Sequence, residues 1–186
     1  MNYLELLNKK IQGNSIELFE SFPDKCVDMI FTDVPYDFTQ DVKQYVHNQF
    51  LRISKGWIIV FSPPENQWIL PADQYGFWIK PISTKNTSKS YSRFVEMLFF
   101  YGSGTWNTHR HWSQYTNVFT DLVDEKHHEY RKPPSLIERI IQNHTNESDI
   151  IFDPFAGSYT IHDIALKLNR LCISIDINER GQEIKL

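Results

Sequence analysis

The chain has 186 residues, of which 41% are hydrophobic and 23% charged, and its net charge is −4. That balance excludes a wholly disordered chain, and the length is that of one ordinary domain able to bury its own core. A surface coated in positive charge is excluded as well, although a local basic patch stays open.

Cys26 and Cys172 are the two cysteines, and neither has a CxxC neighbour, so a reducing, cytoplasmic setting is expected. The strongest apolar runs, Trp57 to Phe61 and Val95 to Tyr101, have strand length, far short of the ~20 residues of a membrane span. The opening MNYLELLNKK carries an acid and lacks the apolar stretch of a secretory signal.

Residues 4–10 read as weakly helical, leading to a strand end at Ile11 and a turn at Gly13-Asn14. Ser15 to Phe22 reads as a short helix capped by Asn14 or Ser15. Val27 to Thr32 is a buried strand that runs into Asp33-Val34-Pro35-Tyr36. Asp41 to Ile53 has helical spacing, Gly56 is its predicted terminator, and Trp57 to Phe61 is the next strand. A short helix around Glu65–Leu70 and strands around Phe77–Pro81 and Phe94–Tyr101 follow.

Residues 102–131 show no period and mix Trp106, His109, Arg110, His111, Trp112, Tyr115, His127 and His128. Pro133 to Asn143 reads as a helix with proline near its first turn. Asp149 to Asp153 is a strand, Ser158 to Asn169 a helix, and Leu171 to Ile177 a closing strand. Strands alternating with helices imply an α/β domain with a mostly parallel sheet. Such sheets bind ligands at the carboxyl ends of their strands, which selects Asn14, Asp33 to Tyr36, Asp153 to Thr160, and Asp176.

Asp33-Val34-Pro35-Tyr36 aims a carboxylate and backbone carbonyls out of a strand beside an aromatic ring, a set suited to a planar base with an exocyclic amino group. An ordinary strand-ending turn is the plainer account of the same residues. In Asp153 to Thr160, a strand feeds a small-residue turn and then a helix. Ala156 and Gly157 there permit close backbone approach. No GxGxxG or GxxxxGK[ST] is present, which counts against a dinucleotide or an NTPase site. Asp176 ends a strand about 20 residues past that turn, the separation at which nucleotide-binding α/β folds carry a ribose-holding acid.

These segments, with Arg131-Lys132-Pro133, resemble the DNA amino-methyltransferases, which transfer a methyl from S-adenosylmethionine to adenine N6 or cytosine N4. The tetrapeptide precedes the cofactor turn, as in the circularly permuted beta class, and the resemblance covers nearly the whole chain from Ile11 to Asp176. It implies one Rossmann-like methyltransferase domain over 1–186, a mostly parallel sheet flanked by helices. By resemblance, Asp33, Val34, Pro35 and Tyr36 are the catalytic tetrapeptide. Asn14, Lys132, Pro133, Asp153, Phe155, Ala156, Gly157, Ser158 and Asp176 are expected at S-adenosyl-L-methionine. Asp33 at the head of the tetrapeptide points to adenine rather than cytosine. Val34 stands in place of a proline, Asn14 in place of an acid, and Tyr159 in place of a glycine, a bulky side chain beside the cofactor loop.

Residues 80–132 hold eight Lys/Arg and five Asp/Glu, a positive stretch in a negative chain. Lys85, Lys89, Arg93, Arg110 and Trp112 are therefore the expected DNA contacts, against the plainer account of a solvated loop. The histidines there lack a cysteine pair or HExxH, so no metal is expected. No Pro-Cys turn is present, which counts against C5-cytosine chemistry. The segment 102–131 is short for target recognition, which is then either relaxed or shared with a second copy or a separate specificity subunit. Cytosine N4, RNA, or a silent cofactor- or DNA-binding role remain alternatives.

Overall fold

The computed structural model describes residues 2–80, 93–109, 111–122, 132–178 and 184–185. A nine-stranded sheet runs through them in the order β6-β4-β5-β3-β2-β7-β8-β1-β9. The strands are β1 (Lys9–Gln12), β2 (Val27–Asp33), β3 (Ser54–Ser62), β4 (Gln74–Ile79), β5 (Val95–Tyr101), β6 (Val118–Phe119), β7 (Ile150–Asp153), β8 (Leu171–Asp176) and β9 (Ile184–Lys185). Only β5 opposes the rest: it pairs antiparallel with both β3 and β4, and every other pairing is parallel. The predicted α/β architecture, mostly parallel and Rossmann-like, is the one observed.

Alternation along the strands builds two cores. Ile30 of β2 and Ile58 and Val60 of β3 face α2 (Gln40–Ile53), which contributes Val46, Phe50 and Ile53. Met29, Phe31, Trp57, Ile59 and Phe61 face the other way. They meet α3 (Pro134–His144), through Leu136, Ile137, Ile140 and Ile141, and α4 (Thr160–Lys167), through Ile161, Ile164 and Ala165. Spacings of three and four residues give each helix its apolar stripe.

The helix after β2 lies on one face and the helix after β7 on the other, although β2 and β7 are neighbours. Chain direction across the sheet diverges at that pair, which is the switch point where sheets of this kind form their ligand crevice, at the carboxyl ends of β2 and β7. Asp33, Asp153 and Asp176 end three strands that lie side by side, with Gln12 and then Asn14 following on the next.

Several local expectations change. Residues 4–10 do not form a helix: Tyr3–Leu6 is a single 3-10 turn, and Lys9–Gln12 pairs with β8. The first helix, α1 (Ser15–Leu18), tightens into a 3-10 turn at Phe19–Ser21. Gly56 does not end α2, because the chain passes from Ile53 directly into β3. Its glycine answers a close approach instead, since a Cβ there would lie 2.3 Å from the Asp28 carbonyl oxygen. Glu65–Leu70 holds one 3-10 turn at Pro64–Asn66 rather than a helix. In the aperiodic segment, a turn at Trp112–Tyr115 leads to β6, which extends the sheet beside β4. Among the described residues, no helix is long and apolar enough to cross a membrane.

Candidate active site

β2 delivers Asp33 to the crevice, and the next residue is anchored in the opposite direction. Val34 is buried in the α2-side core, with Phe38 and Phe155 packed against the same cluster. The valine that replaces a proline therefore fixes the tetrapeptide by packing rather than by a ring. Tyr36 is 46% exposed, and its carbonyl accepts a hydrogen bond from Asn66 Nδ2. Its hydroxyl donates to Glu96 Oε1 at 3.0 Å and lies 3.5 Å from Asp33 Oδ1. Tyr36 is thus part-exposed while its phenol is tied inward to Glu96.

Lys132 arrives just before α3 and is nearly fully buried. Its ammonium pairs with Asp33 Oδ2, lies 3.1 Å from Glu96 Oε2, and sits 5.1 Å above the Phe61 ring. Lys80 at the end of β4 approaches Glu96 Oε1 at 2.7 Å. Burial alone would lower Lys132, but the Asp33 and Glu96 carboxylates outweigh it and hold the ammonium above the ordinary lysine value. Burial would likewise raise Glu96, yet Lys132 and Lys80 hold it below the usual carboxylate range. At Asp33 enclosure by the protein raises the carboxyl, with Lys132 opposing and Glu96 adding to the rise.

The small-residue turn is built differently. Asp153 is buried and accepts from Thr32 Oγ1 at 2.8 Å, so the ends of β2 and β7 are bonded across the crevice. Burial pushes its carboxyl up to about 8, opposed in part by the Thr32 hydroxyl and the Phe155 N–H. Phe155 lies edge-on to Phe38 at 5.4 Å. Ala156 N donates to Ile175 O at 2.9 Å, and Gly157 N donates to Asp176 Oδ2 at 2.7 Å. Ser158 and Thr160 share a 2.8 Å hydroxyl contact.

Gly157 has φ +52, and a Cβ built on it meets no atom within 4 Å, so the turn borders open space. Tyr159 has φ +58, but its side chain does not crowd that space. It is buried, its hydroxyl donates to Ile11 O at 3.2 Å, and its ring lies 5.4 Å from the Lys10 ammonium. The residue expected to sit beside the cofactor loop instead ties that loop to β1.

The remaining expected residues take definite places. Asp176 Oδ1 accepts from Asn178 N at 2.8 Å, so the carboxylate orders backbone on both sides. Asn14 caps α1, accepting from Ile16 N at 3.2 Å and donating from Nδ2 to Glu17 Oε1 at 2.7 Å. Pro133 is buried at the start of α3, and its carbonyl accepts from Ile137 N at 3.2 Å. Arg93 pairs with Glu65 at 2.7 Å, beside the Asn66 that holds Tyr36. Trp112 is 72% exposed. Lys85, Lys89 and Arg110 lie outside the described residues. Asp33, Tyr36 and Lys132 thus form one cluster and Asp153, Gly157 and Asp176 another, joined through Thr32.

Sequence reasoning missed Glu96, Thr32 and Asn66. Glu96 carried a readable signal, an acid within the apolar run Phe94 to Tyr101. Thr32 and Asn66 carried none, because their roles depend on which strand ends become neighbours.

This geometry suits S-adenosylmethionine. The turn at Ala156-Gly157 faces open space, its backbone is tied to Asp176, and the part-exposed Asp33 lies at the end of the strand next to that turn. A family model described as DNA methylase matches residues 58–185. The type II methyltransferase M.HpaI of Haemophilus parainfluenzae is 24% identical over 224 residues, spanning 94% of this chain and 71% of that protein. Among solved structures, the cytosine-N4-specific PvuII DNA methyltransferase matches with a TM-score of 0.76 at 16% identity, over 91% of this chain and 81% of that one. The M1.HpyAVI–SAM complex matches with a TM-score of 0.71 at 21% identity, over 92% and 94%. With the family model spanning most of the chain and the strand-end acids gathered in one crevice, this protein belongs to the S-adenosylmethionine-dependent DNA amino-methyltransferases of adenine N6 and cytosine N4.

Proposed function

We propose that the chain methylates the N6 amino group of adenine in DNA, by direct transfer to a base turned out of the stack. The observation that carries this reading is Asp33 at the crevice mouth beside the half-exposed ring of Tyr36. S-adenosylmethionine, when bound, supplies an electrophilic methyl group. Phe155, Ala156, Gly157 and Ser158 would line it on one side, with Asp153 and Asp176 ordering the turn beneath and Asn14, Lys132 and Pro133 at its flanks.

The chain's own residues then solve the problem of a poor nucleophile. An exocyclic amine is weak because its lone pair is delocalised into the ring. Asp33 accepts one amino hydrogen and the carbonyl of Val34 or Pro35 the other, which favours a pyramidal nitrogen with its lone pair directed outward. Placement and preset dipoles supply most of the acceleration. Turning the base out costs a few kcal/mol, and stacking on Tyr36 offsets part of it. Trp112 and Arg93, with Lys85, Lys89 and Arg110, would contact the DNA strand around it, and a second copy or a specificity subunit would complete target recognition.

Methyl transfer from labelled S-adenosylmethionine to unmethylated DNA, followed by nucleoside mass spectrometry, tests the reading. N6-methyladenine is expected. N4-methylcytosine instead would move the assignment to the other base of the family, and an RNA-only product would overturn the DNA assignment.

A further inference from the structure

We propose that Glu96 is a positioning residue of this site: from β5 it holds Lys132 and Tyr36 together, and through them it sets the orientation of the Asp33 carboxylate that receives the amino group. The inference rests on the proposed function and adds a residue from the one antiparallel strand next to the parallel sheet.

Glu96 is buried on β5. Its neighbours on the same face of β5 are Leu98 and Phe100, both core residues, and its cross-strand partner is the buried Trp78. A carboxylate with a 6% exposed side chain is costly at such a position unless it is paired, and an apolar set replacing the whole network would serve stability as well. What an apolar residue could not do is accept two donors on one oxygen and pair the other with an ammonium, drawing on three different segments. Glu96 Oε1 takes Lys80 Nζ at 2.7 Å and the Tyr36 hydroxyl at 3.0 Å, while Oε2 faces Lys132 Nζ at 3.1 Å.

Both partners also touch Asp33, Lys132 at Oδ2 and the Tyr36 hydroxyl at 3.5 Å from Oδ1. Asp33 is thus steered from both oxygens by groups that Glu96 holds. The lone pairs these contacts leave open on the part-exposed Asp33 carboxylate can receive an amino group, while Glu96 keeps both neighbouring donors in place. The charged groups facing the corner are Asp33 from β2, Lys80 from β4, Glu96 from β5 and Lys132 from the approach to α3, with Asp153 of β7 behind Thr32. The first four balance to neutrality, so removing one acid or one base has a defined electrostatic consequence at Asp33.

The test combines carbon-13 carboxyl titration of Asp33 in the ligand-free protein with kcat for methyl transfer, cofactor Kd and thermal melting. Glu96→Gln removes one nearby negative charge, so the Asp33 titration is expected to move down by about one pH unit. Lys132→Met is expected to move it up by a similar amount, and the double variant to fall between. In Glu96→Gln kcat should drop about 10- to 100-fold, with cofactor Kd within about twofold of wild type. Glu96→Asp keeps the charge but withdraws it by one methylene. It should titrate like wild type and still lose kcat, which serves if Glu96→Gln fails to fold.

An Asp33 titration unmoved in both single variants would overturn the proposal. So would an unchanged kcat per folded molecule in a Glu96 variant that merely melts lower. Absence of methyl transfer by the wild type on any DNA strikes the functional reading instead, while the titration still decides the coupling.

Discussion

Asp33 and Asp153 end neighbouring parallel strands and are joined through the side chain of Thr32, yet their surroundings have opposite character. Asp33 is met by an ammonium, that ammonium by Glu96, and Glu96 by a second ammonium. Asp153 is met by the Thr32 hydroxyl and the Phe155 N–H, with no ion pair among the described residues. The first corner is assembled from four segments, at positions 33, 80, 96 and 132, and is governed by charge. The second is assembled mainly from adjacent strands and is governed by backbone hydrogen bonds. A site that must hold a neutral amine beside a cationic ligand gains from this division, because the charged corner can receive the amine while the turn stays fixed.

The sharpest way to break the contrast is Asp33→Ala. It removes the acceptor from the charged corner and leaves the turn untouched, so methyl transfer should fall by about 10³-fold or more. Cofactor binding should stay close to wild type, while the melting temperature falls because the buried Lys132 ammonium loses one of its two carboxylates. Retained transfer in this variant would remove Asp33 from the chemistry.

Tyr159→Gly probes the other region with a large effect of another kind. Glycine relieves the left-handed backbone but deletes a buried ring and its bond to Ile11 O. A loss of about 3 kcal/mol in urea unfolding is expected, with cofactor Kd changed less than a few-fold. A large loss of cofactor affinity in the folded variant would show that Tyr159 acts on the ligand side of the turn.

These two residues also show what the sequence reveals and where it stops. Asp33 was legible because a buried strand running into Asp-Val-Pro-Tyr places its acid at a strand end whatever the rest of the fold does. The same holds for Asp153 and Asp176, and for the amphipathic stripes of α2 and α3. Tyr159 was legible as a departure but not as an anchor, since its partner Ile11 is 148 positions away. Glu96 was hidden similarly: its partners come from positions 36, 80 and 132, and only the antiparallel course of β5 brings them together. Local pattern decides which residues reach the crevice. Strand order decides whom they meet there, and short segments such as Lys9–Gln12 show tertiary pairing overriding weak helical preference.

A smaller effect is expected from Gly157→Ala. A side chain at φ +52 costs about 1 kcal/mol, and here no protein atom obstructs it. Stability should therefore fall only slightly, whereas a ligand lying against the turn would meet the new methyl. Cofactor affinity should weaken about tenfold by calorimetry. Unchanged affinity would place the ligand elsewhere than over Gly157.

The subtlest separation of the two acids lies in the pH dependence of stability. Asp153 is raised in the folded protein, to about 8 from 3.8. The folded state therefore binds its proton more tightly than the unfolded chain, and the resulting stability is fully present below about pH 4 and lost as pH rises through about 8. Asp153→Asn abolishes that titration while keeping an acceptor for Thr32. Stability by urea unfolding at pH 5, 7 and 9 should thus decline less steeply in the variant, by about 1 kcal/mol per pH unit at most. Equal slopes would mean that the Asp153 carboxyl is already ionised in the folded protein. Its hydroxyl and backbone donors would then suffice without a cation, and the contrast with Asp33 would narrow to geometry alone.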